Sequence, residues 1–301
     1  MTVSAVVPTY NGAHKILNIL RALEGQDWAP DEVIVVVDGS TDNTIDLINR
    51  TEFSFKKLKV VEQLNKGRAV VRNRGFKEAS SDLLVFFDDD MRPLPDCIRR
   101  HVIHHSKVPN SIAVGNVMED YEVMKTDFQR YKAWLSRKWM SQFTSEDTTL
   151  INSKRPFITA ANFSITKLLF AKLDGFDELL TDIEDFDLAM RASENNIPIY
   201  FLSNALAWHD EPVSCKTYIK RLREYKRAHN KLKAIKPSLY IKYSEKDEMN
   251  RAYKDKLFKL FAHEFWINII DEGTLIAKLP QSMRYRLYDV VTTAAGVKFI
   301  N

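Results

Sequence analysis

Four short apolar runs dominate the first third of the chain, at residues 3–7, 33–37, 58–61 and 83–87. Each is strand-length, most are apolar at both odd and even positions, and each is followed by a polar cluster. A strand apolar on both faces is buried on both faces, as in a parallel sheet covered by helices. Between the runs lie helix-period segments: 13–24, with Ile16, Leu17, Ile19, Leu20 and Leu23 at helical spacing, then 41–50 and 68–78. Pro93 and Pro95 open another, running to about residue 105, and a strand is expected at 111–114. The alternation predicts βαβ units and an α/β fold with a Rossmann-like, mostly parallel sheet flanked by helices.

Beyond this the rhythm changes. Residues 121–142 read as an aromatic helix with Tyr131, Trp134 and Trp139, and 143–156 as polar loop. Sheet is expected near 157–165, helix at 167–173, an acidic helix at 181–194, and short strands at 200–202 and 205–208. From Cys215 onward the pattern is helical, with breaks at Pro237 and Pro280. We therefore expect a sheet domain over 1–212, in halves of about 1–117 and 118–212, and a helical extension over 213–301.

Three adjacent carboxylates, Asp88, Asp89 and Asp90, end the fourth apolar run. They repel one another and are costly to desolvate, and a divalent cation relieves both problems. Open α/β sheets bind ligands at the carboxyl ends of their strands. The other polar clusters stand at equivalent places: Pro8-Thr9-Tyr10-Asn11, Asp38-Gly39-Ser40-Thr41-Asp42, and Asn65-Lys66-Gly67 with Arg72 and Asn73. Together they offer what a nucleotide with a diphosphate requires: base acceptors, ribose contacts, a cation and a metal. A second acidic cluster, Asp182, Glu184, Asp185 and Asp187, crowds an expected helix start. Acids there complement the helix dipole, but four in six residues exceed what a cap needs. One of them in a partly dry cleft can act as a general base.

In their joint order these motifs closely resemble glycosyltransferase family 2, the inverting group with the GT-A fold. The matching stretches are Val-Val-Pro-Thr-Tyr-Asn (6–11), Val-Asp-Gly-Ser-Thr-Asp-Asn-Thr (37–44), Asn-Lys-Gly-Arg-Ala-Val-Val-Arg-Asn (65–73), Phe-Phe-Asp-Asp-Asp (86–90), Ala-Asn-Phe-Ser (161–164), Gly-Phe-Asp-Glu (175–178) and Glu-Asp-Phe-Asp-Leu (184–188). The resemblance spans about residues 3–210 and implies roles. Asp38 would accept from the nucleobase, with Val37 standing where members often carry a second acid. Pro8, Thr9 and Tyr10 would line the base pocket, with Asn65 and Gly67 beside the donor. Arg72 would face the diphosphate or ribose. Asp90 would ligate a metal, with Asp88 as ribose contact or further ligand, Asp89 beside the donor, and His209 completing the shell around Mn²⁺ or Mg²⁺. Asp185 would be the base, Glu184 its orienting neighbour, and Asn162 an acceptor contact. The implied enzyme is a hexosyltransferase-type glycosyltransferase with a nucleoside-diphosphate sugar, UDP-linked most often in this family, as donor. Its acceptor would be a glycan or lipid-linked hydroxyl in cell-surface polysaccharide synthesis.

Two other classes compete. A nucleotidyltransferase needs a glycine-rich basic loop after the first strand, which Thr9-Tyr10-Asn11-Gly12 does not supply. A non-catalytic scaffold, or a protein that only binds anionic membrane, would not need the full acid set. The formal charge of +4 is uneven: residues 216–236 carry nine Lys and Arg against Glu224 alone. That points to a local anionic partner, a membrane surface or a lipid-diphosphate acceptor. No aromatic stacking platform accompanies it, so nucleic acid is not expected. Leu257, Phe258, Leu260, Phe261, Phe265, Trp266, Ile269 and Ile270 form an apolar face suited to core or dimer contact, and the oligomeric state is left open. Only Cys97 and Cys215 are present, which fits a reducing compartment. With no charged leader and no membrane-length apolar run, a cytoplasmic protein is expected, with peripheral contact on the inner membrane face.

Overall fold

The computed structural model describes residues 1–143, 145–244 and 258–298, so Leu257 of the expected apolar face lies outside them. The chain forms two compact units. One comprises Met1–Met118, Met140–Asp210 and Ile241–Tyr243; the other comprises Glu119–Trp139, Glu211–Tyr240 and Ser244–Asn301. Residues 119–139, expected in the second half of the sheet domain, cluster with the C-terminal helices.

The first unit is a nine-stranded sheet. Its strands are β1 (Val3–Thr9), β2 (Glu32–Asp38), β3 (Leu58–Gln63), β4 (Leu83–Phe87), β5 (Met91–Pro93), β6 (Ile112–Met118), β7 (Thr148–Leu150), β8 (Asn162–Thr166) and β9 (Ile199–His209). They lie in the order β3-β2-β1-β4-β8-β6-β9-β5, with β7 on β9. The parallel rhythm holds from β3 to β4. Beyond it the sheet is mixed, because β8 enters antiparallel between β4 and β6.

The two-residue period of the strands divides the core. Val3, Ala5, Val7, Val33, Val35, Val37, Leu83, Val85 and Phe87 face one layer, with α1 (Ile16–Glu24), α2 (Thr44–Arg50) and α4 (Cys97–Lys107). Val6, Ile34, Val36, Leu84 and Phe86 face the other, with α3 (Arg68–Glu78), α6 (Lys167–Lys172) and α7 (Glu184–Glu194). Phe86 stacks on its register partner Phe163, ring centroids 4.8 Å apart. Gly75 lets α3 approach β1, since a Cβ there would come within 2.2 Å of the Val6 side chain.

Three local expectations change. The aromatic helix begins late: a 3₁₀ turn, Tyr121–Val123, precedes α5 (Asp127–Met140). A capping box sets the start, since Thr126 N–H donates to Gln129 Oε1 and Gln129 N–H to Thr126 Oγ1. The strands expected at 200–202 and 205–208 are one strand, β9, with a register shift against β6 between Gly115 and Asn116. Residues 91–93, expected at a helix start, pair antiparallel with 207–209.

In the second unit, Phe128 and Tyr131 of α5 pack with Cys215 and Ile219 of α8 (Cys215–Ile235), Ile267 and Ile270 of α10 (Glu264–Glu272), and Tyr288 and Val291 of α11 (Gln281–Thr293). The intervening α9 is Pro237–Tyr243, of which Ile241–Tyr243 is assigned to the first unit. Pro237 opens α9 and Pro280 caps α11, the two breaks expected from sequence. Ser214 and Thr217 form a capping box at the start of α8. Among the described residues no helix is long and apolar enough to cross a membrane.

Candidate active site

The loops after β1 and β2 are knitted together. Asn11, at φ +48°, donates through N–H to Ser40 Oγ, and its Oδ1 accepts from Thr41 N–H at 2.8 Å. Asp42 accepts from Ala13 and Thr44 N–H, so it fixes this turn. Gly39 is at φ +74°, where a Cβ would come within 2.6 Å of Asn65 N; only glycine lets the third loop close on the second.

Asp38 holds that third loop. Its Oδ1 accepts from Gln63 Nε2 at 2.7 Å and Lys66 N–H at 2.9 Å, and its Oδ2 from Gly67 N–H at 2.9 Å. The carboxylate expected to read a nucleobase is here 4% exposed and holds the Asn65-Lys66-Gly67 turn. Gln63 was not singled out by sequence; it joins Asp38 through the β2–β3 register. Pro8 ends buried in β1, Thr9 is buried, and Tyr10 is 52% exposed, so its ring is the one with an open face.

Each acid of the triplet has its own partner from the chain. Asp88 pairs with Arg72 Nη2. Asp89 accepts from Thr9 Oγ1 at 2.6 Å and pairs with Lys15 Nζ at 3.0 Å. Asp90 lies 3.4 Å from His209 Nε2 and 3.9 Å from Lys15 Nζ. Burial pushes the Asp89 carboxyl up against the pull of Lys15 and Thr9. Burial also works on Asp90, but His209 and Lys15 outweigh it and bring that carboxyl down. Much of the repulsion read from sequence is thus relieved within the protein. Both oxygens of Asp89, expected beside the donor, are engaged internally, and these contacts join β1 and the start of α1 to the acid loop.

The pairing of β5 with β9 delivers His209. Met91 registers with His209, Asp210 N–H donates to Asp90 O at 3.0 Å, and Arg92 binds Asp210 through Nε at 2.8 Å and Nη2 at 3.1 Å. Among the described residues no three His, Cys, Asp or Glu side chains are grouped to hold a metal. The expected trio reduces to Asp90 and His209, because Asp88 is bound to Arg72. The pair still fits a divalent ion shared with phosphate: Asp90 Oδ1 is buried without a hydrogen-bond partner, and such ions need only one or two protein carboxylates.

Arg72 ties this rim to the second acidic cluster. It is 3% exposed, with Nη2 on Asp88 and Nη1 2.5 Å from Glu184 Oε1. Burial opposes its charge, but Asp88 and Glu184 outweigh that and hold its proton more tightly than usual. The arginine expected at a diphosphate therefore cross-braces two carboxylates. Its neighbour Asn73 donates to Phe176 O at 2.8 Å and Glu178 Oε1 at 2.9 Å, and accepts from Phe176 N–H, which explains the Gly-Phe-Asp-Glu stretch as the α3 contact.

The helix expected from residue 181 starts at Glu184, because Ile183 stands at φ +54°. A β-branched residue in the left-handed region is strained by about 1–3 kcal/mol, and such strain gathers at functional sites. It turns the chain directly before Glu184 and Asp185. Asp185 accepts from Phe186 N–H at 2.8 Å and Ala160 N–H at 3.2 Å. Burial, and then the charge of Glu184, push its carboxyl up to about 7.

Asn162, expected at the acceptor, lies in the core of the sheet unit. It is fully buried; its Nδ2 donates to Ala205 O at 2.9 Å and Asn116 O at 3.3 Å, and its Oδ1 lies 3.0 Å from His101 Nε2. It satisfies carbonyls that the β6–β9 register shift leaves unpaired. His101, His104 and His105 form a buried polar network with Ser164 and Ser111 that sequence reading missed. Their only sequence signal is the spacing of 101 and 105 on one helix face.

Comparison with known proteins agrees with this fold. Mannosyltransferase PcManGT from Pyrobaculum calidifontis, solved with GDP-Man and Mn²⁺, superposes with a TM-score of 0.61 at 18% identity, covering 97% of this chain and 85% of that one. TarS of S. aureus, solved as residues 1–349 with UDP-GlcNAc, gives 0.55 at 17% identity over 98% and 90% of the two chains. These likenesses show the GT-A fold. In sequence, the probable glycosyltransferase YdaM of Bacillus subtilis is 25% identical over 75% of this chain, and the chain spans about half (55%) of YdaM. Glycosyltransferase AglE of Haloferax volcanii is 25% identical over 69% of this chain and 66% of its own length. The sequence model of glycosyl transferase family 2 matches residues 4–173, more than half of the chain, including the loops that follow β1 to β4, and on that match this chain belongs to glycosyl transferase family 2.

Proposed function

We propose that this chain is a metal-dependent, inverting, hexosyltransferase-type enzyme. It moves a sugar from a nucleoside-diphosphate sugar to a hydroxyl of a glycan or lipid-linked acceptor, in synthesis of a cell-surface polysaccharide. The observation that carries the reading is the placement of Asp185 at the start of α7, directly after the left-handed Ile183 and beside Glu184, whose partner Arg72 also binds the acid triplet; burial and Glu184 raise its carboxyl to about 7. A base of that proton affinity suits abstraction from an alcohol near neutral pH.

In this reading the nucleoside lies over the first three loops, with the ring of Tyr10 as its stacking face and Pro8, Thr9, Asn65 and Gly67 as the wall that Asp38 braces. Asp185 takes the acceptor hydroxyl proton as the oxygen attacks the anomeric carbon. The bond from that carbon to the diphosphate oxygen breaks on the opposite face, and the configuration inverts. Glu184 and Arg72 hold the carboxylate's surroundings, and Arg72 keeps Asp88 at the edge of the donor site. Asp90 and His209 would hold a divalent metal, Mn²⁺ or Mg²⁺, which when bound supplies charge to neutralise the diphosphate. Holding both substrates in line supplies the entropic part of the acceleration. TarS was solved with UDP-GlcNAc and PcManGT with GDP-Man and Mn²⁺, which supports a nucleotide-sugar donor and the metal. We take UDP-sugars first, and a cytoplasmic location with contact to the inner membrane face.

The test is calorimetric titration with UDP-, GDP- and dTDP-sugars, each with and without Mn²⁺ or Mg²⁺, followed by release of nucleoside diphosphate. Metal-dependent binding of one donor with slow release is expected. Absence of binding under every condition would overturn the reading in favour of a scaffold.

A further inference from the structure

On α8, Lys216, Lys220, Arg223, Arg227 and Lys231 recur at intervals of four, three, four and four residues. That spacing puts them in one stripe, about 22 Å long at the helical rise. The buried side of the helix is carried by Cys215, Ile219, Ala228 and Leu232. Arg223 Nε donates to Ala295 O at 2.8 Å. Lys216, Lys220, Arg227 and Lys231 are exposed, and none forms an ion pair among the described residues. Glu224, the one acid of α8, is paired with Arg221.

A one-sided row of cations fits either a linear polyanion or a flat anionic surface. The same unit decides between them. It also exposes large apolar side chains: Leu260 at 60%, Phe265 at 56%, Leu275 at 70% and Met283 at 53%. A polyanion in water gives these nothing to bury against. The headgroup and acyl boundary of a bilayer takes both kinds of group, cations at the phosphates and apolar side chains beneath them. We infer that this helical unit is a membrane-docking surface, with the α8 stripe on anionic lipid headgroups and side chains such as Phe265 and Leu260 entering the boundary. The inference makes specific the membrane contact in the proposed function. Vesicle binding needs no donor turnover, so either can fail without the other.

The experiment is flotation of the full chain with phosphatidylglycerol–phosphatidylcholine vesicles, against phosphatidylcholine alone, over a range of salt. Wild type should float with the anionic vesicles and be released as salt rises. A variant carrying Lys216→Gln, Lys220→Gln, Arg227→Gln and Lys231→Gln should partition several hundredfold less, at about fivefold per cation, with its unfolding temperature unchanged. Leu260→Ser with Phe265→Ser should leave a fraction that salt releases more easily. Equal binding to neutral vesicles, or an unchanged quadruple variant, would overturn the inference. So would wild type that ignores vesicles and binds soluble polyphosphate. If the quadruple variant does not fold, the salt response of wild type decides.

Discussion

The Asp185–Glu184 pair makes a prediction that separates catalysis from folding. Substituting Asp185→Asn removes the proposed base but keeps size and hydrogen-bonding ability. General-base catalysis contributes about 10²–10⁴-fold, so kcat for transfer should fall by that factor, about 3–5 kcal/mol in barrier, with donor affinity retained. The pH profile carries the structural signature. With the carboxyl at about 7, transfer should fall roughly tenfold per pH unit below neutrality. After burial, the charge of Glu184 is the cause that raises Asp185, and Arg72 opposes it. Glu184→Gln removes the repulsion, so its acidic limb should move to lower pH. Stability should change in the opposite sense to activity. An acid whose folded affinity for protons is raised loses stability as pH climbs from its unfolded value near 4 to about 7. Asp185→Asn should therefore unfold at a higher temperature than wild type at neutral pH. The assay is product formation with a cognate donor and acceptor across pH, beside thermal unfolding. Full turnover by Asp185→Asn, or an acidic limb unmoved by Glu184→Gln, would refute the assignment.

Two further outcomes follow from the buried charges. Arg72→Met leaves Glu184, 3% exposed, without its cation; breaking such a pair costs about 3–5 kcal/mol, so the unfolding temperature should drop by roughly 5–10 °C. Burial holds His101 and His104 down to about 4 and His105 to about 3, so stability is complete above their unfolded value of 6.5 and is lost as pH falls from there toward 4. Urea unfolding at pH 7 and pH 5 should show that loss, and His101→Gln should reduce it.

The four apolar runs and the helices between them were legible because periodicity is local: β4 falls at 83–87 as expected, and the other three strands extend the expected runs by one or two residues at an end. The antiparallel entry of β8 was not, since nothing in residues 162–166 states which strand they will join. The same division runs through the site. Asp88, Asp90, Glu184, Asp185 and His209 could be named as candidates from residue type and motif order. Lys15 and Gln63 were not, because they meet Asp89 and Asp38 only through the packing of α1 and the register of β3. Asn162 shows the converse. It stands in a motif, but its amide serves the carbonyls of a register shift that no local pattern announces.

These long-range partners change what the acid triplet means. Read alone, three carboxylates at the end of a buried strand require an external cation. In the fold, Arg72, Lys15 and His209 come from three different elements and stand at the three acids one by one. In the proposed reading, a site so balanced folds without metal and keeps Asp90 Oδ1, which has no hydrogen-bond partner, for a metal while Asp88 and Asp89 are held. The arrangement therefore separates two roles that adjacent residues would otherwise share. Asp88 and Asp89 fix the loop through Arg72 and Thr9, and Asp90 with His209 is left to meet the ligand. Asp89→Asn should then cost stability more than metal affinity, and Asp90→Asn the reverse. Thermal unfolding and Mn²⁺ titration of the two variants measure this directly, and equal losses of metal affinity in both would show that the triplet acts as one undivided site.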